Sequence, residues 1–107
     1  GKLYLGDYSV LADGARILTG TDSYHNGARM STCLPIEQRN PKISSVKVEK
    51  DAFIGTNAVI HPGVVIGEGA IIGSNSLVLK NIKPWTINVG SPTKIIARRP
   101  KVKFPDI

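Results

Sequence analysis

The chain has 107 residues, of which 41% are hydrophobic, and a formal net charge of +6 at pH 7. This length fits one domain, and no apolar stretch in the sequence reaches the roughly 18 residues of a membrane-spanning helix. The single cysteine, Cys33, excludes an internal disulfide bond, so nothing requires an oxidising compartment and we expect a cytoplasmic location. A fold this short buries little of its own surface, so oligomerisation is expected.

A six-residue repeat begins close to the N-terminus. Aliphatic residues six positions apart are each followed, four positions later, by a small or β-branched residue. The aliphatic residues are Leu5, Leu11 and Ile17, and the others are Ser9, Ala15 and Thr21. A period of six does not match the 3.6-residue helix, whereas a short strand and a corner fill six residues. Residues 5–21 are predicted to form a first coil block.

The repeat is interrupted at residues 22–47. This segment contains two prolines and several polar residues, and it resembles an inserted loop. Loops longer than about 15 residues inside a compact domain are usually functional or disordered, and we favour a functional loop. Cys33 lies here without an obvious base beside it, which argues against a thiol nucleophile.

A second coil block is predicted at residues 48–83, where the repeat does not slip. Its aliphatic positions are Val48, Ile54, Ile60, Ile66, Ile72 and Val78, and its small positions are Ala52, Ala58, Val64, Ala70 and Ser76, with Ile82 departing from the pattern. Glycines 55, 67 and 73 are expected at corners, where their backbone freedom is useful. Three strands and three corners close a triangle of 18 residues, which predicts Val48 beneath Ile66, Ile54 beneath Ile72 and Ile60 beneath Val78.

The remaining residues, 84–107, are predicted to form a basic C-terminal tail. Its cationic residues include Lys94, Arg98, Arg99, Lys101 and Lys103. The aromatic residues do not cluster with them as stacking platforms would, so nucleic acid is not the favoured partner. A phosphorylated small molecule and a merely solvated tail both remain open.

Three segments carry a resemblance to a known family: IHPGVVIG at 60–67, GSNSLVLK at 73–80 and GSPTKII at 90–96. Together with the repeat, they resemble the left-handed parallel β-helix acyltransferases of the hexapeptide-repeat superfamily, and in particular bacterial sugar acetyltransferases. That group includes enzymes that modify nucleotide-linked amino sugars for surface polysaccharides such as lipopolysaccharide. The resemblance implies an all-β, left-handed parallel β-helix of hexapeptide repeats with one long inserted loop and a C-terminal basic tail.

The resemblance also implies an assembly and a reaction. Such proteins are homotrimers in which acetyl-CoA lies in a groove between neighbouring prisms, and a loop closes the acceptor pocket. The expected function is transfer of an acetyl group from acetyl-CoA to a hydroxyl or amine of a sugar or nucleotide-sugar. The alternative is a non-catalytic trimerisation module of a larger enzyme. Usual members have more N-terminal coils than this chain, so we expect part of the acceptor pocket to be absent.

Acetyl transfer needs a base for the acceptor's proton, and the resemblance places the candidate at the mouth of the loop. His25 is the candidate base and Asp22 its orienting partner, while Tyr24, Asn26 and Arg29 are candidate acceptor contacts. Other interpretations remain: a solvated His25 with Asp22 capping a turn, Asp22 as the base, or His61 as the base.

Donor binding is expected along the coils. Gly55 and Gly73 are predicted to offer backbone groups to the pantetheine arm, Trp85 to stack on adenine or cover the prism end, and basic side chains to meet the phosphates. Those side chains are Lys80, Lys94 and Arg98. No metal is expected, because the metal-dependent carbonic anhydrases on the same scaffold need three histidines and the chain has two.

Overall fold

A computed structural model describes all 107 residues, and it contains short strands, two 3-10 helices and no α-helix. The helices are His25–Gly27 and Ile36–Gln38. The strands are β1 Leu3–Leu5, β2 Val10–Leu11, β3 Arg16–Ile17, β4 Gly20–Asp22, β5 Pro41–Ile43, β6 Val46–Val48, β7 Phe53–Ile54, β8 Val59–Ile60, β9 Val65–Ile66, β10 Ile71–Ile72, β11 Leu77–Val78, β12 Thr86–Gly90 and β13 Thr93–Arg98.

The coil strands form three sheets that the chain visits in turn. The sheet orders are β1-β6-β9, then β13-β12-β10-β7-β2, then β11-β8-β3. All pairings among coil strands are parallel, and within these three sheets only β13 runs antiparallel to its neighbour, β12. Consecutive strands therefore lie on different sides of a three-sided coil, which is the arrangement expected from the six-residue repeat.

The strand register confirms the predicted stacking. Val48 pairs with Ile66, and the two other predicted pairs, Ile54 with Ile72 and Ile60 with Val78, are also in register. Leu5 pairs with Val48, 48 − 5 = 43 positions away, which is one coil of 18 plus 25 inserted residues. The insertion therefore leaves the aliphatic columns in phase.

The core is the thin stack of side chains that the repeat predicts. The aliphatic and small positions of the second block are buried, and Val46 joins them although it precedes the predicted start of that block. Ile82, which departs from the small column in sequence, is nevertheless 8% exposed and forms a parallel bridge with Ile66. The bridge places Ile82 on the aliphatic residue Ile66, so it occupies the aliphatic column rather than the column of small residues.

The N-terminal coil is open on one side. Strands β1, β2 and β3 are each the edge of their sheet. Leu5 and Leu11 stand in the aliphatic columns, yet they are 53% and 37% exposed, whereas their stacking partners Val48 and Ile54 are fully buried. The exposure follows from the absence of a stacking neighbour on the outer side.

The corners differ from the sequence prediction. Positive φ angles fall three positions after the aliphatic residue, at Asp51, Asn57, Gly63, Gly69 and Asn75. Asn and Asp tolerate this left-handed region better than other residues with side chains, which explains why glycine is not needed at every corner. Gly55 serves another purpose: a Cβ atom there would lie 2.6 Å from the carbonyl oxygen of Ile72. The glycines after the aliphatic residues permit close approach of coils.

The interruption of the repeat is an antiparallel arm. Strand β4 pairs with β5, with Gly20 opposite Ile43 and Asp22 opposite Pro41, and both 3-10 helices lie between these strands. We call residues 20–43 the arm. The arm starts slightly before the predicted loop of residues 22–47. It also ends before that loop was predicted to end, because Val46 already lies in the core.

Much of the predicted tail is ordered strand. In β12, Thr86 and Asn88 are buried, and β13 folds back on β12. The last residues return along the coil, where Asp106 pairs with Lys50 and the amide of Ile107 donates to the Tyr8 hydroxyl at 2.6 Å. The alternation of side chains in β12 matches a half-buried strand rather than a tail. No helix of the chain is long and apolar enough to span a membrane.

Candidate functional site

Asp22 and Arg39 form an ion pair at the base of the arm. The Arg39 Nε donates to Oδ2 of Asp22 at 2.8 Å, and Nη2 donates to Oδ1 at 3.0 Å. The two side chains are only 11% and 19% exposed, respectively. The hydrogen bonds to Asp22 raise the pKa of Arg39 above its usual value. Asp22 is thus held by a bidentate, charge-assisted contact.

His25 stands on the exposed turn that follows. Its backbone N–H donates to the Ser23 Oγ at 3.3 Å, and its ring centroid lies 4.9 Å from that of Tyr24. Its ring nitrogens form no hydrogen bond within the chain, so one of them is available to a substrate. The predicted contact in which Asp22 orients this ring is not formed; both oxygens of Asp22 instead accept from Arg39.

The candidate acceptor contacts divide into two places. Asn26 and Arg29 line one polar hollow of about 410 Å³ together with Arg39, whereas Tyr24 lies beside His25 and outside that hollow. The N–H of Arg29 donates to the carbonyl oxygen of Gln38 at 2.7 Å, which holds the two walls together. The arm therefore offers amide and guanidinium groups that suit polar or anionic ligands.

His61 lies on the coil and not on the arm. It is half-buried, and its backbone N–H donates to the carbonyl oxygen of Val78 at 3.0 Å in the regular stacking of coils. Its position after Ile60 is the one predicted from the repeat. No hydrogen bond joins it to Asp22 or to the arm's helices.

The two glycines predicted to bind the donor use their N–H groups within the coil. Gly55 is buried, and its N–H donates to the carbonyl oxygen of Ile72 at 2.8 Å. The N–H of Gly73 donates to the carbonyl oxygen of Asn88 at 2.9 Å. Both N–H groups are used in stacking the coils, so neither is free for a pantetheine arm.

The basic candidates for phosphate binding lie near the β12–β13 hairpin. Lys80 lines a hollow of about 170 Å³ with Leu79, Pro92 and Thr93. Lys94 and Arg98 are exposed on β13, Lys94 next to Thr93 and Arg98 opposite Thr86. Lys80 and Lys94 thus flank the same end of the hairpin, while Arg98 lies at its other end.

Trp85 and Arg99 form a structural cluster at one corner. A Cβ atom on Gly69 would lie 2.2 Å from the Trp85 ring, and the Arg99 Cζ is 5.4 Å from the ring centroid. Nη1 of Arg99 also donates to the carbonyl oxygens of Asp51 and Gly69 at 2.7 and 2.9 Å. These contacts favour Trp85 as a cover for the corner over an adenine platform. Arg99, which the sequence places in the basic tail, thus stabilises this corner.

One outer face of the coil is apolar. On the sheet containing β2, β7, β10 and β12, the outer side chains precede the column residues Leu11, Ile54, Ile72 and Asn88; they are Val10, Phe53, Ile71 and Ile87. Val10 and Phe53 are 46% and 38% exposed. Strand alternation places these side chains on the outside, and this signal was available from the sequence.

The comparison with protein families identifies the repeat. Residues 45–80 match the family described as bacterial transferase hexapeptide, with six repeats. Over residues 45–80, the repeat of this chain is therefore the hexapeptide repeat of bacterial transferases. It is 31% identical over 101 residues to the dTDP-4-amino-4,6-dideoxy-D-glucose acyltransferase of Escherichia coli, which covers 94% of this chain and 53% of that protein. It is 32% identical over 109 residues to a probable macrolide acetyltransferase of Lysinibacillus sphaericus, covering 92% and 61% of the two chains.

A solved structure shows the same fold. The hexapeptide-repeat chain matches AntD, an N-acyltransferase from Bacillus cereus in complex with dTDP and 3-hydroxybutyryl-CoA, with a TM-score of 0.86 and 30% identity. The match covers 92% of this chain and 52% of AntD. The chain thus spans between about half and three fifths of the length of these relatives.

Proposed function

We propose that the protein transfers an acetyl group from acetyl-CoA to a hydroxyl or amine of a sugar or nucleotide-sugar, in the synthesis of a surface polysaccharide. The observation that carries this proposal is the match of over nine tenths of the chain to acyltransferases, one of them solved with an acyl-CoA and dTDP. We also infer that the three-sided coil is a β-helix, which the strand order supports, and that it is left-handed, as the resemblance to the hexapeptide-repeat acyltransferases implies.

In the proposed reaction His25 is the general base. The acceptor oxygen or nitrogen attacks the thioester carbonyl, its proton passes to a ring nitrogen of His25, and the C–S bond breaks. The thiolate of CoA leaves and receives that proton from His25, which restores the neutral base. The exposure of His25 and the absence of partners for its ring nitrogens support this role. Asn26 and Arg29, with Tyr24 nearby, are the proposed acceptor contacts.

Donor binding is assigned to the hairpin end of the coil. Lys80 and Lys94 are the proposed partners of the CoA phosphates, because both are exposed cations. Lys80 lines the hollow, and Lys94 follows Thr93, which also lines it. Arg98 is a further candidate at the other end of β13. Trp85 packs against Gly69 and Arg99 and is not proposed as a stacking surface for adenine.

We further propose a homotrimer with sites between neighbouring coils. The apolar outer face that includes Val10, Phe53, Ile71 and Ile87 supports association, because burial of such a face is favourable by about 25 cal/mol per Å². Light scattering at micromolar concentration should give about three times the 11.5 kDa of one chain. A stable monomer with full activity would contradict a shared site.

The direct test is a thiol-release assay with acetyl-CoA across a panel of sugars and nucleotide-sugars. His25→Ala should lower turnover on the productive acceptor by about a hundredfold or more and leave CoA affinity nearly unchanged. His61→Ala is the matched control and should have a much smaller effect. A trimer that binds no CoA and releases no thiol with any acceptor would favour the alternative, a non-catalytic module.

A further inference from the structure

The arm is held without a hydrophobic core. None of residues 20–43 is buried. Its two strands have three residues each, and a two-stranded hairpin of this kind is at best marginally stable by itself. Polar contacts across the arm must therefore define its shape.

Three cross-arm contacts lie next to one another at the root of the turn that carries His25. The N–H of Ser23 donates to the carbonyl oxygen of Asn40 at 2.8 Å, and Asp22 and Arg39 form the bidentate pair. Further out, the Arg29 N–H donates to the Gln38 carbonyl oxygen at 2.7 Å. Of the three, only the ion pair joins two side chains, and it links positions 17 residues apart.

We propose that Arg39 is a positioning residue, which fixes the turn carrying His25 through its fork-like contact with Asp22. The inference rests on the proposed function, with His25 as the base. Asp22 then acts with Arg39 as one unit and does not take the acceptor's proton. Its low exposure and the engagement of both its oxygens support this assignment.

The pair differs from an ordinary surface ion pair in geometry and burial. Exposed ion pairs typically contribute little, whereas a bidentate guanidinium–carboxylate contact fixes both distance and orientation. Lysine keeps the charge of Arg39 but lacks the planar fork, so Arg39→Lys should have a kcat between those of Arg39→Gln and the wild type. The pair of Lys47 and Glu49 on the coil, with a 3.3 Å contact and side chains 57% and 34% exposed, offers a control of the ordinary kind.

The experiment compares Arg39→Gln, Asp22→Asn and the double variant in the full chain, with Lys47→Gln as the control. Each single variant should lower kcat by about tenfold to a hundredfold, because small displacements of a catalytic group have effects of this size. The double variant should be no more than about twofold worse than either single one, since both break the same contact. Lys47→Gln should stay within about twofold of the wild type.

The pH–rate profile separates positioning from proton transfer. If Arg39 only positions the turn, Arg39→Gln should reduce the rate at all pH values and leave the acidic limb in place. If Asp22 were the base, loss of the neighbouring cation would move that limb to higher pH, and Asp22→Asn would be far more damaging than Arg39→Gln. Such a result would overturn the proposal.

Amide hydrogen exchange supplies a measurement that does not depend on activity. Arg39→Gln should increase the exchange rate at the amides of Ser23 and Arg29 and leave the exchange of the coil amides unchanged. In Lys47→Gln, exchange at the amides of Ser23 and Arg29 should match the wild type. Unchanged exchange at both amides would refute the positioning role even in an inactive protein. If Arg39→Gln loses protection at these amides but the wild-type protein transfers no acyl group, the proposed function is refuted, whereas the role of Arg39 in fixing the arm is supported.

Discussion

The aliphatic columns allow the contribution of stacking to be measured within a single sheet. Leu11, Ile54 and Ile72 lie in register, but Ile54 is fully buried whereas Leu11 is 37% exposed at the open edge. Truncation of Ile54 to alanine removes three carbon atoms at about 0.8 kcal/mol each, or about 2.4 kcal/mol, and leaves a cavity between two coils. The total loss in the free energy of unfolding should reach about 3–4 kcal/mol.

Leu11→Ala is the matched variant, because it removes the same number of carbon atoms from the same column. With over a third of the side chain already in water and no coil outside it, we expect a loss of about 1–1.5 kcal/mol. Urea unfolding followed by circular dichroism at one fixed protein concentration gives both values, with unchanged slopes if the reference states are the same. Equal losses for Leu11 and Ile54 would refute the reasoning, since they would show that the edge is covered in solution.

Three further predictions concern charged residues. Arg99→Ala should lower the free energy of unfolding by about 2–4 kcal/mol, because it removes two hydrogen bonds and a cation–π contact, whereas Arg98→Ala should change it by about 0.5 kcal/mol or less; thermal unfolding tests both. The hydrogen bond to Asp106 raises the pKa of Lys50 above its ordinary value of 10.5, so the pair stabilises the fold fully below that pH and loses its contribution as the pH rises through the folded-state pKa. Asp106→Asn should therefore show a smaller fall in melting temperature than the wild type between about pH 9 and pH 12. Lys80→Ala should weaken CoA binding and its salt dependence in titration calorimetry, and an unchanged dissociation constant would remove Lys80 from the donor site.

The sequence predicted the coil well because the constraint there is periodic and steric. A column of aliphatic residues at every sixth position has one geometry in which all members are buried, and the pairing of Val48 with Ile66 follows from it. The same argument predicted the small residues, since the narrow interior has no space for larger ones. Leu5 pairs with Val48 across the arm, so the aliphatic columns fix the register of the coils even where the inserted residues separate them in sequence.

The arm and the corners could not be predicted in the same way. The partner of Asp22 is 17 positions away in a segment without a period, and no local pattern indicates Arg39 rather than His25 as that partner. The corners were misassigned because two kinds of glycine requirement, positive φ and close approach of coils, occur within the same six-residue repeat. Gly69 has φ of +68°, whereas Gly55 is needed for space.

The fold separates the residues that stabilise the protein from those that the proposed reaction uses. His25, Arg29, Lys80 and Lys94 are all exposed, and none contributes to the buried columns. The two ends of the arm are joined by the pairing of Gly20 with Ile43 before the coil resumes, so changes between them need not disturb the register. Changes in the proposed acceptor contacts on the arm can therefore occur, at the cost of its own polar contacts, while the coil and the proposed donor site on it stay the same.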